Sequence, residues 1–351
     1  MKAIRLLSAC LAMGMLACTS EETPTEPSRS PSLARATVGT YTAVDLGTLG
    51  GNYSAARGIN PAGQVVGVSL TEGNAGFRAF LWAKGVMTDL GALGGNVSEA
   101  TGINPAGQVV GYSNTTTTGN GASHAFLWEK GIMIDLGTLG GSFSVALGIN
   151  PAGQVVGWSA IARDATTHAF LWEKGVMTDL GTFGGDVSAA YGINPAGRVA
   201  AQSYIGEDRS TTHAFLWANG VATDLGTLGG SFSEATGINP ASQVIGQSYT
   251  VGNATTHAFL WTKGVMTDLG TLGGSFSEAK GLNPMGQVVG QSYTAADATT
   301  HAFFWANGIM TDLGTFGGDF SQAWGINPAG QVVGVSAMQS GEHHAALWTR
   351  K

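Results

Sequence analysis

Three short motifs each occur seven times in this chain, and their cycle begins and ends out of phase with itself. Asp-Leu-Gly starts at Asp45, Asp89, Asp135, Asp179, Asp224, Asp268 and Asp312. An Ile/Leu-Asn-Pro turn starts at Ile59, Ile103, Ile149, Ile193, Ile238, Leu282 and Ile326. An Ala-x-Leu/Phe-Trp segment ends at Trp82, Trp128, Trp172, Trp217, Trp261, Trp305 and Trp348. The first Asp-Leu-Gly has no Trp segment before it, and the last Trp segment has no Asp-Leu-Gly after it. A linear stack does not need that offset, whereas a ring does, because the N-terminal strand can then complete the C-terminal repeat. A β-solenoid would also stack repeats of this size, but it leaves the offset unexplained and would want atypical end repeats.

The spacing divides each repeat into fixed and free parts. Every Asp of Asp-Leu-Gly lies 14 residues before the next Ile/Leu-Asn-Pro, and each Ala of the first six Trp segments lies 10 before the next Asp. Only the stretch from Ile/Leu-Asn-Pro to the following Ala varies, between 19 and 22 residues. Insertions are thus confined to one loop per repeat. The repeat from Ser233 to Leu269 reads as four strands: Ser233–Asn239, Gln243–Ser248, His257–Trp261 and Val265–Leu269. Pro240 and Lys263-Gly264 mark its turns. Val155-Val156 and Phe170-Leu171-Trp172 are apolar on both parities, as in strands covered on both faces. The expected fold is an all-β, seven-bladed β-propeller with four antiparallel strands per blade. The N-terminal strand, near Tyr41 to Leu46, would close it by completing the C-terminal blade.

The chain ahead of the repeats reads as an export signal. Lys2 and Arg5 precede an apolar run from Leu6 to Ala17 that is too short to span a bilayer. Met15-Leu16-Ala17-Cys18 resembles a lipobox, which makes residues 1–17 a signal peptide and Cys18 a lipidated anchor to a membrane. Leu7-Ser8-Ala9-Cys10 fits the same pattern but leaves almost no apolar run before it; simple cleavage without lipid is the other alternative. Thr19 after the cysteine points to the outer membrane or cell surface. Residues 18–36, rich in Ser, Thr, Pro and Glu, read as a tether, and 37–351 as the repeat domain. Losing Lys2 and Arg5 takes the formal charge from −7 to −9, which argues against nucleic acid as a partner. The mature chain keeps no cysteine but Cys18, so packing must hold the domain together without disulfides.

The His-Ala-Phe triplets at His124, His168, His213, His257 and His301, with the Asp-Leu-Gly and Ile-Asn-Pro elements, resemble the bacterial HAF family of extracellular repeats. The likeness runs from about Tyr41 to Trp348, with Arg78-Ala79-Phe80 and His344-Ala345-Ala346 as departures. It implies an exported repeat protein and no agreed activity or catalytic residues.

Residues repeated at one phase in every blade read as structure. The histidines, one repeat apart, should bond to a Ser, an Asp or the backbone rather than converge on a metal. The Asp-Leu-Gly aspartates should bond nearby amides, and the Trp residues should form core. More informative are positions where the repeats disagree. Before Gly-Ile/Leu-Asn stand Arg57, Thr101, Leu147, Tyr191, Thr236, Lys280 and Trp324. Two residues earlier stand Ala55, Glu99, Val145, Ala189, Glu234, Glu278 and Gln322. A Gly-Gly-x-aromatic loop supplies Tyr53, Phe143, Phe232, Phe276 and Phe320, with Val97 and Val187 as exceptions. These loops and the variable loops between the second and third strands of each repeat should share one face.

The residues expected to bind ligand are therefore Tyr53, Arg57, Phe143, Tyr191, Phe232, Phe276, Lys280, Phe320 and Trp324. The leading expectation is a monomeric, non-enzymatic surface module for a carbohydrate or protein, with no catalytic residue, metal or cofactor. The first alternative is a polysaccharide or peptide lyase or hydrolase at the axis, using Arg57, Glu99, Tyr191, Glu234, Glu278 and Lys280. The second is a purely structural envelope protein. Three or more titratable groups converging at the axis with displaced pKa values would weigh against a non-enzymatic role.

Overall fold

The structure is a computed structural model that describes residues 35–38, 41–116, 122–206 and 211–351. The signal segment, Cys18 and most of the tether lie outside the described residues. The unit from Leu33 to Lys351 is all-β, with 29 strands and four short 3-10 turns among the described residues.

Local chemistry sets the strand order. In the fifth repeat the strands, named a to d in chain order, are Gly229–Ile238, Val244–Thr250, Thr256–Thr262 and Val265–Asp268. Asn239 forms the a–b turn: its side-chain oxygen accepts the Gln243 amide at 3.0 Å. Ser242, at φ 61°, takes the left-handed position that glycine fills in the other copies. Lys263 and Gly264 both have positive φ, 50° and 92°, as a two-residue c–d hairpin with right-handed strand twist requires.

The core lies between consecutive repeats. One cluster joins Ala200, Ala214 and Leu225 of the fourth repeat to Ala235, Val244 and Phe259 of the fifth. Another joins Val333, Ala345 and Leu347 near the C-terminus to Ala56, Val65 and Phe80. Burying a phenylalanine such as Phe259 contributes about 2 kcal/mol. Near the axis strand a carries glycine because the next repeat comes so close: a Cβ on Gly281 would lie 2.9 Å from the Trp324 carbonyl.

The uniform serines and asparagines stitch repeats together, which their sequence pattern did not disclose, and the histidines bond aspartates as expected. Ser233 Oγ accepts the Ala214 amide of the preceding repeat at 2.9 Å and donates to the Gly226 carbonyl at 2.6 Å. Equivalent bonds run from Ser54, Ser98, Ser144, Ser188, Ser277 and Ser321. Asn60 Nδ2 donates to the Asn104 carbonyl at 3.2 Å, the bond recurs from repeat to repeat, and Asn327 donates to the Asn60 carbonyl at 3.3 Å. His124, His168, His213, His257 and His301 place Nδ1 2.8 Å from the Asp of their own repeat. His344 does the same with Asp45, and so ties the two ends of the chain.

The closed seven-bladed propeller of separate four-stranded antiparallel blades does not stand. Strand pairing gathers the chain into one sheet of 21 strands and another of eight, not seven sheets of four. Parallel bridges do the joining, at Tyr53–His343, Phe143–Ser123, Phe232–Thr212, Phe276–Thr256 and Phe320–Thr300. Among the described residues no bridge leads into the strands Ser98–Ile103 and Ser188–Ile193, so the sheet is open at two seams. The N-terminal strand Tyr41–Asp45 does pair with His343–Arg350, but Arg35–Val38 pairs outside it and makes that group larger than four. The physical reason lies in the loop that enters strand a. Where it carries an aromatic ring, the backbone stays extended from the Gly-Gly pair and strand a has ten residues, as in Gly140–Ile149. At Val97 and Val187 it has six.

Candidate functional site

The Gly-Gly-x-aromatic loops and the b–c loops lie side by side. Asn74, Asp164, Asn253 and Asp297 each sit at positive φ in a 3-10 turn of a b–c loop. Their side-chain oxygens accept the amides of Asn52, Ser142, Ser231 and Ser275 at 3.1, 2.7, 2.9 and 2.6 Å. The same bonds to Ser275 hold the Asp297 carboxyl below the usual range.

This docking sets the aromatic rings in pairs. Phe143 packs edge-on against Trp158 at 5.5 Å, while Phe232 and Tyr249 at 5.0 Å, and Phe276 and Tyr293 at 5.1 Å, meet at a tilt. Tyr53 meets Phe77 edge-on at 5.8 Å, and the His343 ring stacks on both Tyr53 (6.4 Å) and Phe320 (5.3 Å). Burial keeps the His343 pKa below the ordinary histidine value. The five loop aromatics are half-buried, and Tyr249 and Tyr293 are each 36% exposed. They fill gaps between strands and still present ring surface.

Further along strand a the variable positions meet near the axis. Arg57 Nε lies 2.7 Å from Glu99, which also accepts the Tyr112 hydroxyl at 2.7 Å. The Arg57 guanidinium stands 4.0 Å over the Trp324 ring, and Lys280 Nζ 4.8 Å from the same ring. Lys280 pairs with Glu278, which accepts from Gln291 at 2.8 Å. Glu234 accepts from Gln247 at 3.0 Å, and the Tyr191 hydroxyl accepts from Gln202 at 2.9 Å. Glu278 and Glu234 are only 2% and 5% exposed.

Burial, and then the charge of Glu278, raise the Glu234 pKa against the pull of Lys280. Burial and the neighbouring Glu234 push Tyr191 well above the usual tyrosine value, and burial with Glu99 does the same to Tyr112. Burial works against the Arg57 charge, but Glu99 and Tyr53 outweigh it and raise its pKa. The convergence that weighs against a passive axis is therefore present. It is also largely self-neutralised, since Arg57 faces Glu99 and Lys280 faces Glu278.

A cavity of about 210 Å³ opens at the a–b turn end of this cluster. Gly-Ile or Gly-Leu pairs from all seven repeats line it, together with Tyr191, Thr236 and Lys280. Of the sequence candidates, Tyr191 and Lys280 reach the cavity; Tyr53, Phe143, Phe232, Phe276 and Phe320 lie toward the other end of strand a. Among the described residues no three His, Cys, Asp or Glu side chains are placed to share a metal ion.

Sequence reasoning missed the strand b partners. Register places Glu99 opposite Tyr112, Val145 opposite Trp158, Glu234 opposite Gln247 and Glu278 opposite Gln291. Tyr112, Trp158, Gln202, Gln247 and Gln291 all occupy the variable position just before the second strand's serine. That second variable column, read beside the first, was the available signal.

No protein-family model matches the chain, and no curated protein matches it in sequence. Solved structures do resemble it. The β-propeller domain of the trilobed protease from Pyrococcus furiosus, described as having an open velcro topology, is 9% identical with a TM-score of 0.53 over 90% of this chain and 94% of that one. A puromycin-hydrolyzing peptidase from Mycobacterium tuberculosis is 10% identical with a TM-score of 0.52, over 90% of this chain and 50% of that one. TolB from Acinetobacter baumannii is 12% identical with a TM-score of 0.45, over 68% of this chain and 63% of that one. The first of these establishes a fold of the β-propeller type and nothing finer.

Proposed function

We propose that the protein is an exported module, lipid-anchored at Cys18 in the outer membrane or at the cell surface, that binds a carbohydrate or protein ligand without catalysing a reaction. It acts as a monomer with no cofactor. The observation that carries this reading is the set of half-buried aromatic pairs repeated around one face, Phe143–Trp158, Phe232–Tyr249 and Phe276–Tyr293 among them. Rings fixed by packing, with hydroxyls and loop amides beside them, suit sugar faces or an extended peptide. The export reading rests on the charged start, the short apolar run and the Leu16-Ala17-Cys18 motif.

The test is binding of the purified 33–351 domain to a glycan array and to envelope proteins in pull-down. A Phe232→Ala, Phe276→Ala double variant is expected to lose about tenfold in affinity, from contacts worth about 1.4 kcal/mol. Unchanged binding would sink the aromatic face as the site. Cys18→Ala is expected to release the protein from the membrane fraction.

One observation favours the enzymatic alternative: a deeply buried Glu234 with a raised pKa stands beside Tyr191, in the manner of a general acid. Turnover of a polysaccharide or peptide that Glu234→Gln abolishes would establish that reading instead.

A further inference from the structure

The net acidity of the chain is unevenly placed. Register sets Ile238, Val244, Trp261 and Met266 side by side, so the a–b and c–d turns of a repeat leave at one end and the b–c loop at the other. The asparagine bonds that pass from repeat to repeat, and back to Asn60, hold these turn ends together on one face. We propose that this turn face docks on an anionic lipid surface and so orients the aromatic face away from the membrane. The proposal stands apart from the ligand of the aromatic face and from lipidation at Cys18.

Charge is the first argument. Exposed Lys84, Lys130, Lys174 and Lys263 occupy c–d turns, with Arg198 in an a–b turn and Arg350 ending the last strand c. Among the described residues the acidic side chains at this end are Glu129 and Glu173, 3.5 and 3.6 Å from Lys130 and Lys174. Those lysine side chains are 88% and 89% exposed, and exposed pairs hold their partners loosely. The exposed loop acids Glu72, Asp164, Asp186, Asp297, Asp319 and Glu342 lie at the other end, beside Arg78 and Arg163. A chain that is acidic as a whole thus presents one cationic face, which complements anionic headgroups.

The second argument is apolar exposure on the same face. Strand d opens with Val86, Ile132, Val176, Val221, Val265 or Ile309, each between 62% and 67% exposed. Four of these follow a turn lysine by two residues. They stand on separate turn tips, whereas a protein partner covers a contiguous patch. A lipid surface takes single apolar side chains into its interfacial zone while a neighbouring lysine reaches phosphate. A second copy meeting this face with its own would set lysine against lysine.

The third argument is reach. Arg35 lies 17 residues beyond Cys18, a stretch that spans at most about 55 Å, so an anchor there leaves the orientation of the domain open. The turn face decides it. The contact is salt-sensitive and acts beside an anchor without replacing it.

The experiment is vesicle co-sedimentation of residues 19–351, which carry no lipid. Vesicles of phosphatidylcholine and phosphatidylglycerol in equal parts are compared with phosphatidylcholine alone, at about 0.02 M salt, where charges act over roughly 20 Å. Saturable binding is expected to the anionic vesicles, about tenfold tighter than to the neutral ones, and lost near ~0.5 M salt. A Lys84→Asn, Lys263→Asn double variant should weaken it about tenfold. Asn219 and Asn307 already fill that turn position, so the variant keeps the fold. Val86→Ser, Val265→Ser should weaken binding as well, by about fivefold. Arg78→Gln, Arg163→Gln makes the same change in net charge at the other end and should leave binding unchanged. Equal binding to both vesicles, no binding to either, or equal losses from the lysine and arginine variants would overturn the proposal. Self-association without vesicles that the lysine variant abolishes would also overturn it, and would assign the face to a second copy of the chain.

Discussion

The repeats beginning at Gly140 and at Ser98 share nearly every motif, yet the sheet runs into the first and stops before the second. In the first, Phe143 follows Gly140-Gly141-Ser142, packs on Trp158 and bridges to Ser123 of the preceding repeat. In the second, Val97 stands in its place, strand a starts only at Ser98, and Gly94 swings to φ 157° where Gly140 has 101°. The Ser98 stitch to the Ala79 amide and the bond from Asn60 to the Asn104 carbonyl persist across the break. Contact between repeats therefore rests on buried serine and asparagine side chains, while sheet continuity is an addition tied to one aromatic ring. The seam before Ser98 gains something that the bridged boundaries lack among the described residues: the Arg57–Glu99 ion pair crosses it.

The largest expected effect tests that pair. Glu99→Ala leaves Arg57, whose side chain is 12% exposed, without its carboxylate and should cost about 3 kcal/mol in chemical denaturation. Gln322→Ala, in a bridged repeat, loses a neutral hydrogen bond to Gln291 and should cost about 1 kcal/mol. Equal losses would mean that the seam has no special dependence on charge.

Next in size is the exchange of the two loop types. Phe143→Val should destabilise by about 1.5 kcal/mol and raise amide exchange at Ser123 and Phe143 to the level at Val97. If exchange at those amides stays slow, the aromatic ring is not what sustains the bridge.

The smallest effect concerns the junction of the chain ends. The hydrogen bond to Asp45 raises the His344 pKa, against burial, with the Asp45 charge adding to it. A raised histidine pKa means that the folded state binds the proton more tightly than the unfolded chain. The stabilisation is thus complete below the ordinary histidine pKa of about 6.5 and is lost as pH rises through the folded value. His344→Gln should flatten that part of the stability–pH curve. A curve identical to that of the unaltered protein would show that the pair does not titrate with folding.

Much of this was legible in the chain. Fixed spacing from Asp-Leu-Gly to Ile-Asn-Pro located strand a, and the uniform His and Asp columns foretold bonds of internal structure, whereas the Ser and Asn columns read only as small residues and turns. The axial meeting of Arg57, Glu99, Trp324 and Lys280 was visible only as a column of unlike residues. Which of them touch depends on the turn of strand a and on the strand b residue opposite each, which linear spacing does not carry. The seams were hidden for a similar reason, since Val97 and Val187 look like mild substitutions until backbone pairing shows what they interrupt.

The sequence by itself determined the repeat, its four-strand order and the β-propeller type of fold, because strand and turn preferences act over a few residues and recur at fixed intervals. Only the tertiary structure decided where the sheet breaks, which axial charges neutralise one another and where a cavity remains. Those outcomes depend on distances between residues about 44 positions apart, such as Asn60 and Asn104, and packing sets these distances.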